Sequence, residues 1–182
     1  METNKIDWAA LQAPFVPRWR VQSAKNGMAI MVAYVDARQV AIRLDEVVGP
    51  ENWANNYDPE TGLGTIGINI DGEWIFKSDV GTESNIEKIK GRASDAFKRA
   101  AVIWGIGRDL YAMGTRILKS SDGKYPETDG GQKLITGDQQ SNYLNGLTEN
   151  RALIMQLWNR NKGLQTDQRF KDALNVLQEV AK

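Results

Sequence analysis

The chain has 182 residues, with 23 lysines and arginines balanced by 23 aspartates and glutamates, and it contains neither histidine nor cysteine. Without a thiol or an imidazole, disulfides, Cys- or His-ligated metal centres, cysteine nucleophiles and the Ser-His-Asp triad are excluded, so binding is favoured over covalent chemistry. A 41% apolar content supports one ordinary core, and with no apolar leader and no long apolar run the expectation is a cytoplasmic protein without a membrane segment.

KIDWAALQ (5–12) predicts a short leading helix, stopped by Pro14 and Pro17. Two β-rich runs, Arg18–Ser23 and Met28–Val35, flank Asn26-Gly27, the dipeptide of a two-residue hairpin turn. Asp36 is an N-cap candidate, and Val40, Leu44, Val47 and Val48 recur at helical spacing until Gly49-Pro50, which predicts a helix over Ala37–Val48. Three strands follow: Trp53–Tyr57, Gly64–Ile70 and Glu73–Val80, the last two joined by Asp71-Gly72.

From Asn85 to Trp104 the period becomes helical, with Ala93, Ala96, Phe97, Ala100 and Trp104 on one stripe. Gly105 and Gly107 interrupt this helix, and Arg108–Met113 resumes it after a bend. Ser120–Gly137, rich in glycine, reads as a mobile linker. Asp138–Asn161 and Thr166–Ala181 read as two amphipathic helices, a hairpin appended to the core. The expected class is α+β: an antiparallel β-sheet packed on a long helix, with a C-terminal helical hairpin after a linker.

Zero net charge hides a local excess: between Ile86 and Lys124 nine basic residues face four acidic ones, an excess of five. Such a segment suits a confined polyanion site. Advancing about 100° per residue from Ala93 brings Arg92 and Arg99 together near ~250° on the flank of the apolar stripe, with Lys98 near ~140°. Lys98 and Arg99 thereby straddle the exposed side of the helix. An ordinary solvated basic face has the same pattern.

Two other patterns lead elsewhere. Gly62, Gly64 and Gly67 match G-x-G-x-x-G, but a strand follows them where a dinucleotide site needs a helix N-terminus. Asp71, Glu73, Lys77 and Asp79 alternate around one turn and could serve a metal-dependent nuclease, although the solvent face of an antiparallel sheet has the same alternation.

Three runs occur together in order: YVDARQVAIRLDEVVGPENW (Tyr34–Trp53), KSDVGT (Lys77–Thr82) and ASDAFKRAAVIWGIGRDLY (Ala93–Tyr111), preceded by LQAPFVPRWR (Leu11–Arg20). In these residues the chain resembles the bacterial and phage branch of the Rad fifty-two family of single-strand annealing proteins, over about residues 9–115. The resemblance implies a β-β-β-α core that assembles into rings or spirals, with single-stranded DNA in a basic outer groove and annealing without ATP or any other cofactor. The family's basic pair falls on Lys98 and Arg99. Two further basic positions of its eukaryotic members fall on Gln39, with Arg38 adjacent, and on Val102, which thins the charge of the groove.

The resulting expectation is ATP-independent single-stranded DNA binding and annealing in DNA repair or phage recombination, by a homo-oligomer that is not an enzyme. The DNA-binding candidates are Lys98, Arg99, Arg92, Arg38 and Lys90; no catalytic or metal residue is expected. The competing functions are protection of DNA ends without efficient annealing and, in another class, the nuclease. Residues 1–119 are expected to form the DNA-binding and oligomerisation core, 120–137 a linker, and 138–182 a helical tail that docks a partner such as a single-strand-binding protein.

Overall fold

The computed structural model describes residues 5–82 and 88–160. In chain order its elements are α1 (Trp8–Leu11), β1 (Arg18–Lys25), β2 (Met28–Tyr34), α2 (Ala37–Val48), β3 (Trp53–Tyr57), β4 (Leu63–Ile70), β5 (Glu73–Val80), α3 (Lys88–Ile103), α4 (Asp109–Ala112), β6 (Thr115–Lys119) and α5 (Gly137–Arg160). The expected helix over 166–181 lies outside the described residues. The class is α+β with antiparallel sheets, as expected.

Local chemistry accounts for the elements. Asn26-Gly27 and Asp71-Gly72 both take positive φ at both turn residues (53° and 75°; 53° and 90°), the geometry that closes two-residue hairpins. Asp36 caps α2 through the Arg38 amide, and Gln39 accepts from the Asp36 amide to complete a capping box. Gln39, which stands where the resemblance has a basic residue, is therefore used to start the helix. Gly105 and Gly107, at φ 92° and 72°, end the α3 region before α4 begins.

The chain divides into two compact units. The first comprises residues up to Phe15 together with Val35–Met113; the second comprises Val16–Tyr34 together with residues from Gly114 onward. In the first unit, the sheet β3-β4-β5 is antiparallel throughout, with Gly67 opposite both Ala54 and Phe76. Helix α3 packs across β4 and β5, and α2 packs on α3. Leu11, Val40, Leu44, Ile66, Ile68, Phe97, Ala100, Ala101 and Trp104 fill the core between them. Helical residues at i, i+3 and i+4 meet alternating strand residues there, which is why the stripe on α3 is buried.

In the second unit, the sheet β1-β2-β6 is again antiparallel, and α5 packs on β1. Trp19, Ala29, Met31 and Leu144 form its core. The Trp19 amide donates to Ser141 Oγ at 2.9 Å, its indole N–H donates to Asn145 Oδ1 at 2.9 Å, and Asn145 Nδ2 donates to the Pro17 carbonyl at 3.0 Å.

This partition differs from the expected domain plan. The hairpin β1-β2 groups with β6 and α5 rather than with the three-stranded core, so the division at residue 119 does not follow the contacts. Contacts more than 120 residues apart leave no local periodicity, and β6 had no sequence signal of its own. The stretch expected as a linker is held in turns and bridges. Lys119, Glu127 and Lys133 are joined by isolated bridges, and the buried Glu127 accepts from both the amide and the hydroxyl of Ser121. Pro126 and Leu134 are also buried.

Candidate nucleic-acid interface

The basic run between 86 and 124 is divided between the two units. Its helical part belongs to the first unit, whereas Arg116, Lys119 and Lys124 belong to the second. In the first unit, the strand-end run and the α3 run meet through three side chains of the helix. Arg99 Nη2 pairs with Asp79 at 3.2 Å. Asp95 accepts from both the amide and the hydroxyl of Thr82 at 2.9 Å. Arg92 donates through Nη2 to the Thr61 carbonyl at 2.8 Å and through Nε to the Gly81 carbonyl at 3.4 Å. The flank of the apolar stripe thus faces the end of β5, because a strand running beside a helix offers carbonyls and a carboxylate to that flank.

The glycines serve this same seam. A Cβ on Gly64 would lie 2.7 Å from Ala96, one on Gly81 would lie 2.3 Å from the Arg92 carbonyl, and one on Gly62 would meet the Arg92 guanidinium at 2.2 Å. The G-x-G-x-x-G pattern is therefore a close-packing device: two of its glycines admit α3, and the third, Gly67, lies under Phe76, whose ring a Cβ would approach to 2.5 Å.

The candidate residues have unequal freedom. Arg92 is engaged with two carbonyls. Arg99 is partly exposed and holds Asp79 by one nitrogen, while its Nε is buried without a partner. Lys98 is half-buried one position away on α3. The Arg38 side chain is exposed at the start of α2. Lys90 lies in the first turn of α3, and its side chain lies outside the described residues.

Other cations of this unit are also committed. Lys77 sits 4.0 Å above the Trp104 ring and donates to the Ile103 carbonyl, and Arg108 donates to the Val102 and Ile103 carbonyls. Together they neutralise the C-terminal end of α3. Arg43 covers the Phe15 ring and donates to the carbonyls of Ala10, Leu11 and Ala13.

The alternating carboxylates do not build a metal centre. Among the described residues, no three acidic side chains converge on a point. Asp79 is taken by Arg99 and the Val80 amide. Register puts Glu73, Ile75, Lys77 and Asp79 on the face shared with Ile66 and Ile68, toward α3. The opposite face carries Trp74 and Phe76, stacked with centroids 6.2 Å apart and 40% and 61% exposed. The acidic alternation is therefore not the open face of this sheet; the aromatic one is.

Two carboxylates have lowered pKa values. Asp58 is held down chiefly by the Thr61 hydroxyl and the Glu60 amide, within the loop that presents the Thr61 carbonyl to Arg92. Asp122 is held down chiefly by Lys133.

The chain is similar to two proteins named single-stranded DNA-binding protein DdrA. It is 36% identical to that of Deinococcus deserti over 123 residues, covering 63% of this chain and 61% of that protein. It is 36% identical to that of Deinococcus radiodurans over 112 residues, covering 57% and 53%. The chain thus spans between half and two thirds of the length of these curated relatives. No family model and no solved structure matches it. No described helix is long and apolar enough to cross a membrane.

Proposed function

We propose that this chain binds single-stranded DNA and anneals complementary strands without ATP, in DNA repair or phage recombination, as a member of the Rad fifty-two family. The observation that carries this reading is the 36% identity to two proteins named for single-stranded DNA binding. The seam between β5 and α3 adds to it: the two runs that support the resemblance are joined there by Asp79–Arg99, Arg92–Gly81 and Thr82–Asp95. Lys98 and Arg99, with Arg38 and Lys90, are the phosphate contacts in this reading, and Arg92 holds the β3-β4 loop and the end of β5 against α3.

Annealing asks for phosphate neutralisation and accessible bases, and it uses no nucleophile. This suits a chain without histidine or cysteine whose relatives are named as binding proteins. Self-association into a ring or spiral would repeat a modest cationic site along one strand. The uncharged face bearing Trp74 and Phe76 is apolar surface of the kind that subunits cover.

The test is oligonucleotide binding and complementary-strand annealing by the full chain and by a Lys98→Ala/Arg99→Ala variant, with circular dichroism and sizing as controls. Lys98 and Arg99 lie beside the buried stripe of α3 and not within it, so the variant should fold. Affinity should fall about tenfold, with a shallower salt dependence. A folded variant that binds and anneals like the parent would remove α3 from the site. A parent chain with no affinity for single strands would end the reading altogether.

A further inference from the structure

Strand β6 is an edge of the sheet β1-β2-β6, and among the described residues a bridge covers only its last residue on the outer side. There the Lys119 carbonyl accepts from the Glu127 amide at 2.8 Å, on the side away from β2. Backbone groups alternate sides along a strand, so the amides and carbonyls of Ile117 and Thr115 also point away from β2, while Leu118 and Arg116 pair with Ala29 and Met31. After Glu127 the chain turns back through Thr128 and Gly131 to Lys133 and does not follow β6 further.

Beside that open edge lies a groove of about 220 Å³, lined by Arg116, Ile117, Leu118, Leu144, Leu147 and Thr148. It exists because α5 packs on β1, at the other edge of the sheet, and leaves the flank of β6 uncovered. Leu118, Leu144 and Leu147 make an apolar floor continuous with the Trp19 cluster, and Ile117 is 64% exposed. The Thr148 hydroxyl already donates to the Leu144 carbonyl. The charge of the groove comes from Arg116, whose guanidinium lies 5.8 Å from the Trp19 ring centroid, and no carboxylate is among the lining residues.

We propose that β6 and this groove dock an extended acidic and apolar segment of a partner protein, which adds to the open edge as a further strand. The outward amides and carbonyls of Ile117 and Thr115 are matched by a polypeptide backbone, whereas a phosphodiester backbone has acceptors and no donors to answer them. In an added strand, side chains two places apart share the α5 side, so the one beside Leu118 is apolar and the one beside Arg116 is acidic. Charge decides against two other occupants. Thr115–Lys119 carries Arg116 and Lys119 and no anion, so a second copy pairing edge to edge would bring like charges together. Residues 161–182 hold four basic and three acidic side chains and bring no net negative charge. The docking site lies in a different unit from Lys98 and Arg99 and does not depend on strand binding there.

The test uses the full chain and a fluorescein-labelled peptide with blocked ends, Asp-Val-Leu-Val-Asp, which reads the same in both directions and so assumes no strand polarity. The controls are Lys-Val-Leu-Val-Lys and the acidic peptide with its internal amides N-methylated. The parent should bind the acidic peptide about tenfold more tightly than either control. Arg116→Glu should reverse the preference between the acidic and basic peptides. Amide hydrogen exchange, which depends on no substitution, should show Thr115 and Ile117 slowed by the acidic peptide while the amides of β3, β4 and β5 keep their rates. A folded parent with no saturable binding, or with equal affinity for all three peptides, would overturn the proposal. Thr115 and Ile117 already protected without peptide would also overturn it, in favour of a second copy if dilution removes the protection and of residues 161–182 if Phe170→Asp/Leu174→Asp removes it. Protection of the same amides by an oligothymidylate and not by the peptide would overturn it in favour of nucleic acid.

Discussion

Replacing Asp79 with asparagine should strengthen single-strand binding, because Asp79 and an incoming phosphate compete for Arg99. Arg99 is held by one nitrogen only, with Nη2 3.2 Å and 3.5 Å from the two carboxylate oxygens. This is not the side-on double contact that makes arginine–carboxylate pairs strong. Arg99 Nε is buried with no partner, so the held position leaves a donor unsatisfied that outward movement would solvate. Asp79 keeps the Val80 amide at 2.7 Å when the arginine leaves, so release does not strand the carboxylate. With side chains 37% and 32% exposed, the pair is largely solvent-screened and is worth about 0.2–1 kcal/mol. Removing that competition corresponds to a gain of roughly 1.5- to 5-fold in affinity. Fluorescence anisotropy with a labelled oligonucleotide at low salt measures it, and urea unfolding should show a stability change no larger than ~1 kcal/mol. In an Arg99→Ala background the same substitution should do much less. Equal gains in both backgrounds, or weaker binding by a fully stable Asp79→Asn variant, would refute the competition.

The remaining predictions separate architecture from binding. Arg92→Ala and Arg92→Lys should both lower stability by about 1–2 kcal/mol in urea, since neither restores the two-carbonyl clamp. Arg92→Lys should keep the parent's salt slope, and an unchanged unfolding midpoint with a reduced slope would make Arg92 a phosphate contact instead. Truncation after Gly137 removes Ser141, Leu144 and Asn145 from around Trp19, which is only 2% exposed in the whole chain. It should cost the second unit about 3–5 kcal/mol and shift tryptophan emission to the red; unchanged near-ultraviolet dichroism would refute the packing.

Legibility in the sequence tracked the range of the interactions. Asn26-Gly27, Asp71-Gly72 and the Asp36 cap act within four residues, so the turns and α2 were readable from local chemistry. The stripe on α3 was readable because burial imposes a 3.6-residue period. By contrast, β6 pairs with β2 across more than eighty residues, and α5 reaches Trp19 across more than a hundred and twenty. Nothing near Thr115–Lys119 announced that pairing. The faces of β5 misled for a related reason: alternation identifies two faces but not which is covered, and Lys77 and Asp79 are accepted on the covered side because Trp104 and Arg99 answer them. Lys25 and Lys119 come to one sheet face, on either side of β2, only once the sheet is formed.

Counting charges along a chain therefore overstates a surface. On α3 and its surroundings, Arg43, Lys77, Arg92 and Arg108 donate to backbone carbonyls, and Arg99 is partly occupied by Asp79. Such a cation contributes to potential, yet a phosphate can use it only by breaking a contact that already stabilises the fold. On β1, Arg18 is likewise paired with Asp138 at 2.6 Å. The affinity of a neutral protein for a polyanion then follows from which cations remain uncommitted after folding, not from the net charge of the segment that carries them.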